Sequence, residues 1–432
     1  MSFLNKMPLV KKYLNKFKDK FECLENENLI LATQNIDLRL KLKKINHEKI
    51  NIVFVCHRPA VWGSLKTVYE ALKKDELFNV KIVTIPNKKQ LPKLGLNHEV
   101  YQSEGAEDFW VGDDVISGYE YDTGEWYDLR LLKPDYICFQ QPYDIERTGA
   151  YKSKVVSRYA KLFYVAYAFD FMGNGLLEET TPKDFSTNVS FFFTQNTVDD
   201  KLVKTILTKN NNFFTKNILT GFPRYDNLRN YKNIKQDIWN YKDNKDKFRV
   251  IWTPRWTTNE GNCNFFDYNY SLLEYCDLHK DTDFIFRPHP QAFLEWAATG
   301  EFSDSQAKKY KEEFDKRENT KIDYNKSYIS TFYSSNCLIT DVSSIIADYF
   351  LTGNPIIYCH KKDFFNEFSQ KLSEGFYWVH SWNELEKILD DLRNGIDPLK
   401  EKRQKLIKEL FYLPEEGSGN LIKQIIKEDA LK

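Results

Sequence analysis

Two short runs carry side chains whose types and spacing suit the handling of an anion. Arg287-Pro288-His289-Pro290 follows the apolar run DFIF, and its two prolines stiffen the backbone around a guanidinium and an imidazole. Arginine clamps pairs of phosphate oxygens, while histidine, with an ordinary pKa of about 6.5, can pass a hydrogen bond or a proton to a departing phosphate. A histidine held structurally between prolines is the plain alternative. Asp341-Val342-Ser343-Ser344 follows NCLIT and precedes the helical pattern IIADYFLTG, which carries Asp348. Two hydroxyls and free amides at a helix start make a phosphate cradle, although an ordinary cap by Asp341 or Ser343 uses the same residues. The two strand ends bearing these runs are expected to be neighbours in one sheet. Thr253-Pro254-Arg255 after RVIW and Gly221-Phe222-Pro223-Arg224-Tyr225-Asp226 after NILT supply two further arginines, with local pairing to Asp226 the alternative role for Arg224. Neither GxGxxG nor a Walker loop occurs in the chain.

A proton acceptor is also needed if a hydroxyl is to attack, and two residues near the ends of early apolar runs qualify. Asp170 ends LFYVAYAF beside Phe169, Phe171 and Met172, an apolar setting that raises a carboxylate toward the range useful for a base. Gly173 and Gly175 let the backbone turn close to a substrate; capping a helix or pairing with a cation is the ordinary alternative for such an aspartate. His57, in VCHRPAVWGS, is the substitute base, with a substrate contact or a structural role as its alternatives. His360 follows PIIYC and falls near the same edge, whereas His47, His98, His279 and His380 have no supporting context.

Positioning these residues requires parallel strands that end where ligands bind in open α/β sheets. The runs NIVFVC, VKIVTIP, DYICFQ, LFYVAYAF and SFFFTQ predict a first sheet, and RVIWTP, DFIFRP, NCLITD and PIIYC a second, with crossover helices between them. Residues 49–230 and 248–432 are read as two Rossmann-like domains joined by the polar linker 231–247. LEKILDDLRNG and KEKRQKLIKEL close the second domain or cross back to the first. Residues 1–48 form a helix with apolar residues at seven-residue spacing: Met7, Leu14, Phe21 and Leu42 at one site, Val10, Phe17, Leu24, Leu31, Leu38 and Ile45 at the other. Asn28 and Asn35 occupy the first site, where a buried amide pairs best with its own copy in a parallel partner. A homo-oligomeric coiled coil through residues 7–45, separable from the two-domain body, is the expectation; a helix packed on its own domain is the alternative. Lys6, Lys11, Lys12, Lys16, Lys18 and Lys20 beside Phe17 and Phe21 suit an anionic membrane surface or a merely solvated basic face.

Composition narrows the class. The 432 residues exceed one ordinary core, and 42% hydrophobic with 29% charged residues describe a folded protein with a charged surface. Equal counts of 62 basic and 62 acidic residues leave no global positive field, which disfavours general nucleic-acid binding. The seven cysteines lack metal-ligand spacing and read as reduced core residues of a cytosolic protein needing neither metal nor cofactor. No run has the length of a signal sequence's apolar region or a membrane span.

Taken together and in order, TGFPRYDNL, VIWTPRW, FRPHP and LITDVSSIIADYFLTGNPIIY resemble the bacterial CDP-glycerol glycerophosphotransferase family from about residue 130 onward, and KPDYICFQQPYD looks like a variant family segment. The resemblance implies an α/β fold of GT-B type, two facing Rossmann-like domains with the nucleotide held mainly by the second. It implies that His289, Arg287, Ser343 and Ser344 contact the donor diphosphate, with Thr253, Arg255, Asp341 and Arg224 in the donor-binding set. Where family members carry a His-Gly pair whose histidine deprotonates the acceptor, this chain reads VAYAFDFMGNG. Asp170 with its glycines is similar instead to the acidic base of bacterial sialyltransferases. The implied activity is transfer of a polyol phosphate from a CDP-polyol to a lipid-linked or polymeric glycan acceptor, releasing CMP, at the inner face of the cell membrane. A GT-B glycosyltransferase using a CMP-activated sugar and an inactive GT-B scaffold are the alternatives.

Overall fold

Alternation along the first apolar run shows how a strand apolar at nearly every position is used. In the computed structural model of the chain, Ile50, Ile52, Phe54 and Cys56 join one buried cluster, whereas Val53 and Val55 join another. Successive side chains point to opposite faces, so a sheet covered on both sides needs apolar residues throughout. The structure describes residues 8–90, 99–167, 183–212, 214–233, 238–239, 247–325, 328–362 and 365–432.

Seven parallel strands build the first sheet: β1 (Ile50–Cys56), β2 (Phe78–Thr84), β3 (Val115–Ser117), β4 (Tyr136–Phe139), β5 (Lys161–Val165), β6 (Phe191–Thr194) and β7 (Lys216–Leu219). Their order is β7-β6-β5-β4-β1-β2-β3. Six parallel strands build the second: β8 (Phe248–Thr253), β9 (Thr282–Phe286), β10 (Thr320–Ile322), β11 (Cys337–Thr340), β12 (Ile356–Cys359) and β13 (Tyr377–Val379), in the order β10-β9-β8-β11-β12-β13. In each sheet the chain winds outward on one side and then returns to the other. The winding therefore reverses between β1 and β4, and again between β8 and β11. Ligands of doubly wound sheets bind beyond the strand ends at such a reversal.

The chain divides into two compact units, the first containing the early sheet together with Leu413–Lys432 and the second containing Asn227–Tyr412. Residues 413–432, included in the expected second-domain span of 248–432, thus belong to the first unit. Their helix, Ser418–Ala430, buries Ile422, Ile426 and Ala430 in the same cluster as β1. Its Asp429 accepts a 2.7 Å hydrogen bond from the Tyr136 hydroxyl and pairs with Lys161. Within the expected linker, Ile238 and Trp239 are buried in the second unit, where Trp239 Nε1 donates to Ser334 Oγ at 2.7 Å. That unit's main cluster is aromatic: Phe265 stacks on Trp296 at 4.2 Å and on Trp252 at 5.5 Å.

Pro8–Ile45 is one continuous helix that docks on the first unit through Leu29, Ile36 and Leu40. Arg39 Nε donates to buried Asp135 at 2.9 Å, Lys43 pairs with the same carboxylate, and Asp37 pairs with Lys161. The helix therefore groups with the first unit rather than standing apart as its own domain, the packed alternative of the sequence reading. The seam residues from Phe17 to Ile45 are exposed, and apart from Phe21, which lies against Lys154, they point elsewhere. Six cysteines are buried as expected of core residues, but Cys23 is exposed on this helix.

Candidate functional site

At the reversal point of the second sheet, the strand ends of β8 and β11 are tied together by one carboxyl group. Asp341, which follows β11, is buried and accepts backbone hydrogen bonds from Arg255 and, at 2.9 Å, from Asn264. Burial pushes its pKa up to about 7, against the opposing pull of the two amides and the Arg255 charge. Asp341 therefore fixes the loop after β8 against the loop after β11. Ser343 and Ser344 follow directly. Ser344 is exposed, and Ser343 Oγ accepts a 3.4 Å bond from the Ile345 amide at the start of the short helix Ile345–Phe350.

His289 lies beyond β9. Strand β8 separates β9 from β11 in the sheet, so the expected adjacency of the two motif-bearing strand ends is corrected. The β8 loop bridges them instead. Trp256 stacks on the His289 ring at 5.1 Å with an 18° interplanar angle, and Arg255 lies close enough to lower the imidazole pKa, although desolvation is the larger cause. The Gln291 amide donates to His289 Nδ1 at 3.3 Å. With Nδ1 accepting, the neutral ring carries its hydrogen on Nε2, available as a donor.

Arg287 and Arg255 are both held by carboxylates. Arg287 pairs with buried Asp323, donates at 2.7 Å to the Asn325 carbonyl, and lies over the Tyr328 ring. Arg255 spans Glu260 through two nitrogens, Nε to Oε2 at 2.9 Å and Nη2 to Oε1 at 3.0 Å, and also reaches Thr257. Such pairs fix the guanidinium planes and their remaining N–H donors without the entropy cost of a free side chain, while each carboxylate balances the charge of its arginine. Thr253 faces inward: its hydroxyl donates to Thr340 Oγ1 at 3.0 Å, linking β8 to β11.

The first unit has its own polar cluster at the β1–β4 reversal. Gln140 Oε1 accepts from the amides of His57 at 2.9 Å and Arg58 at 2.8 Å, and Gln140 Nε2 returns a 2.9 Å bond to the Arg58 carbonyl. His57 is buried beside Gln141, and its Nε2 has no partner among the described residues. Desolvation, aided by Arg58 and Arg147, lowers its pKa to about 3, which keeps the ring neutral and makes it a weak proton acceptor. Buried Arg147 donates to the Gln141 carbonyl at 2.8 Å and lies 4.2 Å over Phe139. Asp170 lies outside the described residues. Arg224 belongs to the first unit, where its Nε would stand 3.1 Å from a Cβ on Gly63. Asp226 accepts from Thr67 Oγ1 at 2.6 Å and from the amides of Ser418 and Gly419.

Each motif was visible from its place after an apolar run, but its partners were not. Trp256 adjoins the Thr253-Pro254-Arg255 run, yet nothing in the spelling says that it stacks on His289. Glu260, Asn264 and Asp323 reach the site only through folding. Among the described residues no group of three or more His, Cys, Asp or Glu side chains is arranged to hold a metal ion.

Comparison with known proteins places this arrangement in context. Residues 162–390 match the family CDP-Glycerol:Poly(glycerophosphate) glycerophosphotransferase. The chain is 26% identical over 245 residues to the minor teichoic acid biosynthesis protein GgaB of Bacillus subtilis (strain 168); the match covers 52% of this chain and 25% of GgaB, so it spans about a quarter of that relative. Solved structures of the wall teichoic acid polymerase TagF superpose with a TM-score of 0.57 at 15% identity, covering 97% of each chain, and one similar TagF structure was soaked with CDPG. UDP-GlcNAc 2-epimerase from Neisseria meningitidis, bound to UDP-GlcNAc, superposes with a TM-score of 0.55 at 13% identity, covering 89% of this chain and 99% of that one. The fold is α/β of GT-B type.

Proposed function

The chain belongs to the CDP-glycerol:poly(glycerophosphate) glycerophosphotransferase family, and we propose from that premise that it transfers glycerol phosphate or ribitol phosphate from a CDP-polyol to a hydroxyl of a cell-surface glycopolymer, releasing CMP. The observation that carries this reading is the reversal point of the second sheet, where Asp341 ties the Arg255 loop to the strand end followed by Ser343 and Ser344, and Trp256 of the same loop stacks on His289, whose Nε2 is the donor. These groups suit a diphosphate. The acceptor oxygen attacks the distal phosphorus, the bond to the CMP oxygen breaks, and the arginines and the His289 N–H offset the charge gathering on the leaving phosphate. Asp170 takes the hydroxyl proton in this scheme, and neutral His57 holds or orients the acceptor.

The family description and the CDPG soaked into TagF support CDP-glycerol as the first donor to try. A lipid-linked or polymeric glycan is the acceptor we favour, at the inner face of the cell membrane. The exposed Phe17 and Phe21 beside Lys16 and Lys20 support attachment to an anionic surface, and no helix among the described residues is long and apolar enough to cross a membrane.

A CMP-release assay with purified protein and extracted acceptor, run across CDP-glycerol, CDP-ribitol and CMP-sugars, tests the reading. We expect release with a CDP-polyol, a fall of roughly a hundredfold or more in His289→Ala, and loss of transfer with retained CMP affinity in Asp170→Asn. Release from CMP-sugars alone would establish the glycosyltransferase alternative, and CMP binding without turnover on any donor the scaffold.

A further inference from the structure

The N-terminal helix presents two faces with different fates. Leu29, Ile36 and Leu40 are at most 4% exposed against the first unit, and Arg39, Lys43 and Asp37 bolt the same side down through Asp135 and Lys161. Apart from Phe21, whose ring centroid lies 5.5 Å from Lys154 Nζ of the first unit, every apolar residue of the seven-residue pattern within the described side chains lies off that face. Phe17, Leu24, Leu31, Leu38 and Ile45 are 72%, 49%, 58%, 59% and 71% exposed, with Phe21 at 49% and Leu42 at 60%. Asn28 and Asn35, which share the heptad position of Phe21 and Leu42, are exposed as well. On a helix at 100° per residue, the mean direction of the seam lies roughly 125° from that of the docked side, so the seam is open to a partner.

We propose that this seam binds a second copy of the same chain as a parallel, in-register two-stranded coiled coil. The occupant follows from self-complementarity. In parallel register each of Leu24, Leu31, Leu38 and Ile45 meets its own copy, and Asn28 and Asn35 each meet an asparagine able to exchange amide hydrogen bonds. An antiparallel pair sets both asparagines against leucines, leaving two amides buried without partners. Charge does not decide the matter: in parallel register Lys20 comes to Glu25 of the other copy, but that carboxylate already pairs with Lys154 and Arg158 of its own chain. Area agrees. Seven seam side chains exposing roughly 100 Å² apiece offer on the order of 700 Å² per copy, near the ~800 Å² per partner of a standard stable interface. Because the helix is fixed to the first unit, the pair also fixes the two first units in the same orientation along the coiled-coil axis and brings both Lys-rich beginnings to one end.

Sedimentation velocity on the full-length chain, over a hundredfold range of concentration, tests this against Leu31→Glu and Leu38→Glu. Both side chains are exposed in the single chain, so the variants still fold and melt cooperatively. We expect a dimer that each variant shifts to monomer. Direction is read from Asn28→Cys in a Cys23→Ser background: oxidation links two chains through residue 28 in the parallel register only. A wild-type monomer throughout the range overturns the proposal, as does a dimer indifferent to both glutamates. If instead the monomer sediments with anionic vesicles and the glutamates abolish that, a membrane covers the seam and the second copy is rejected.

Discussion

At Asp341 a carboxyl group has been taken out of water and given two backbone amides, and its pKa of about 7 says that the ordinary ionised form is disfavoured in the fold. The sign for stability follows from linkage. Between about pH 4 and pH 7 the native state holds a proton there that the unfolded chain has lost, so stability falls as pH rises through this window and is flat below and above it. Asp341→Asn keeps the shape of the protonated group and cannot ionise. The difference in unfolding free energy between wild type and variant, from urea melts at several pH values, should therefore change by a few kcal/mol across the window, on the order of 4 kcal/mol at most. A constant difference from pH 4 to 8 would show that Asp341 ionises normally and that its two amide bonds outweigh burial. The same residue shows what is legible at this scale. Its position after NCLIT marked it for the strand end, because a buried parallel strand must be apolar and the first polar residue after it stands at the ligand edge. Its partners, the amides of Arg255 and Asn264, come from 86 and 77 residues away, and no local pattern encodes such pairings. Asp170 was likewise marked by the run before it, and its surroundings remain outside the described residues.

Among the elements, the central strands were legible because burial on both faces forces continuous apolar runs, and β1, β4, β8, β9 and β11 lie where NIVFVC, DYICFQ, RVIWTP, DFIFRP and NCLITD predict them. Strands β3, β10 and β13 were not read. Each is three residues long, each is an edge strand, and each carries residues that are not buried. An edge strand has a neighbour on one side only and needs no apolar run, so its sequence resembles a loop. The GFPRYDN segment, marked for its arginine, gives an element-scale role to Asp226. The helix Ser418–Ala430 starts at Gly417, which has no capping side chain, and Asp226 supplies the missing acceptor to the amides of Ser418 and Gly419 while also receiving Thr67 Oγ1. Asp226→Ala leaves the first turn uncapped and the Thr67 hydroxyl without that acceptor. The expected cost is about 1–3 kcal/mol in unfolding free energy, with faster hydrogen exchange at Leu421 and the residues after it. Unchanged exchange in that turn would mean that water replaces the carboxylate without loss.

For the whole molecule, the two ends of the chain are built into the first unit rather than appended to it. Heptad spacing made the N-terminal helix legible as a helix with a seam, but periodicity reports one apolar stripe and is blind to polar docking on another face. Asp135 supplies that docking. Its carboxylate is fully buried and is satisfied by Arg39, Lys43 and the Asn51 amide. Deleting residues 1–46 removes both cations together with Leu29, Ile36 and Leu40, leaving a buried carboxylate with one amide and an opened apolar cluster. Breaking a buried ion pair from one side typically costs about 3–5 kcal/mol, and each large apolar side chain lost from a core adds about 2–5 kcal/mol. A domain whose net stability is about 5–15 kcal/mol does not absorb that sum. The deletion should therefore yield aggregated or molten protein, whereas deletion of residues 1–24, which stops short of Glu25 and its bonds to Lys154 and Arg158, should leave the melting midpoint of the body within a few degrees of wild type. Thermal melts of the two truncations decide the matter: a cooperative, near-native transition after removal of residues 1–46 would mean that the helix rests on the first unit without supporting it.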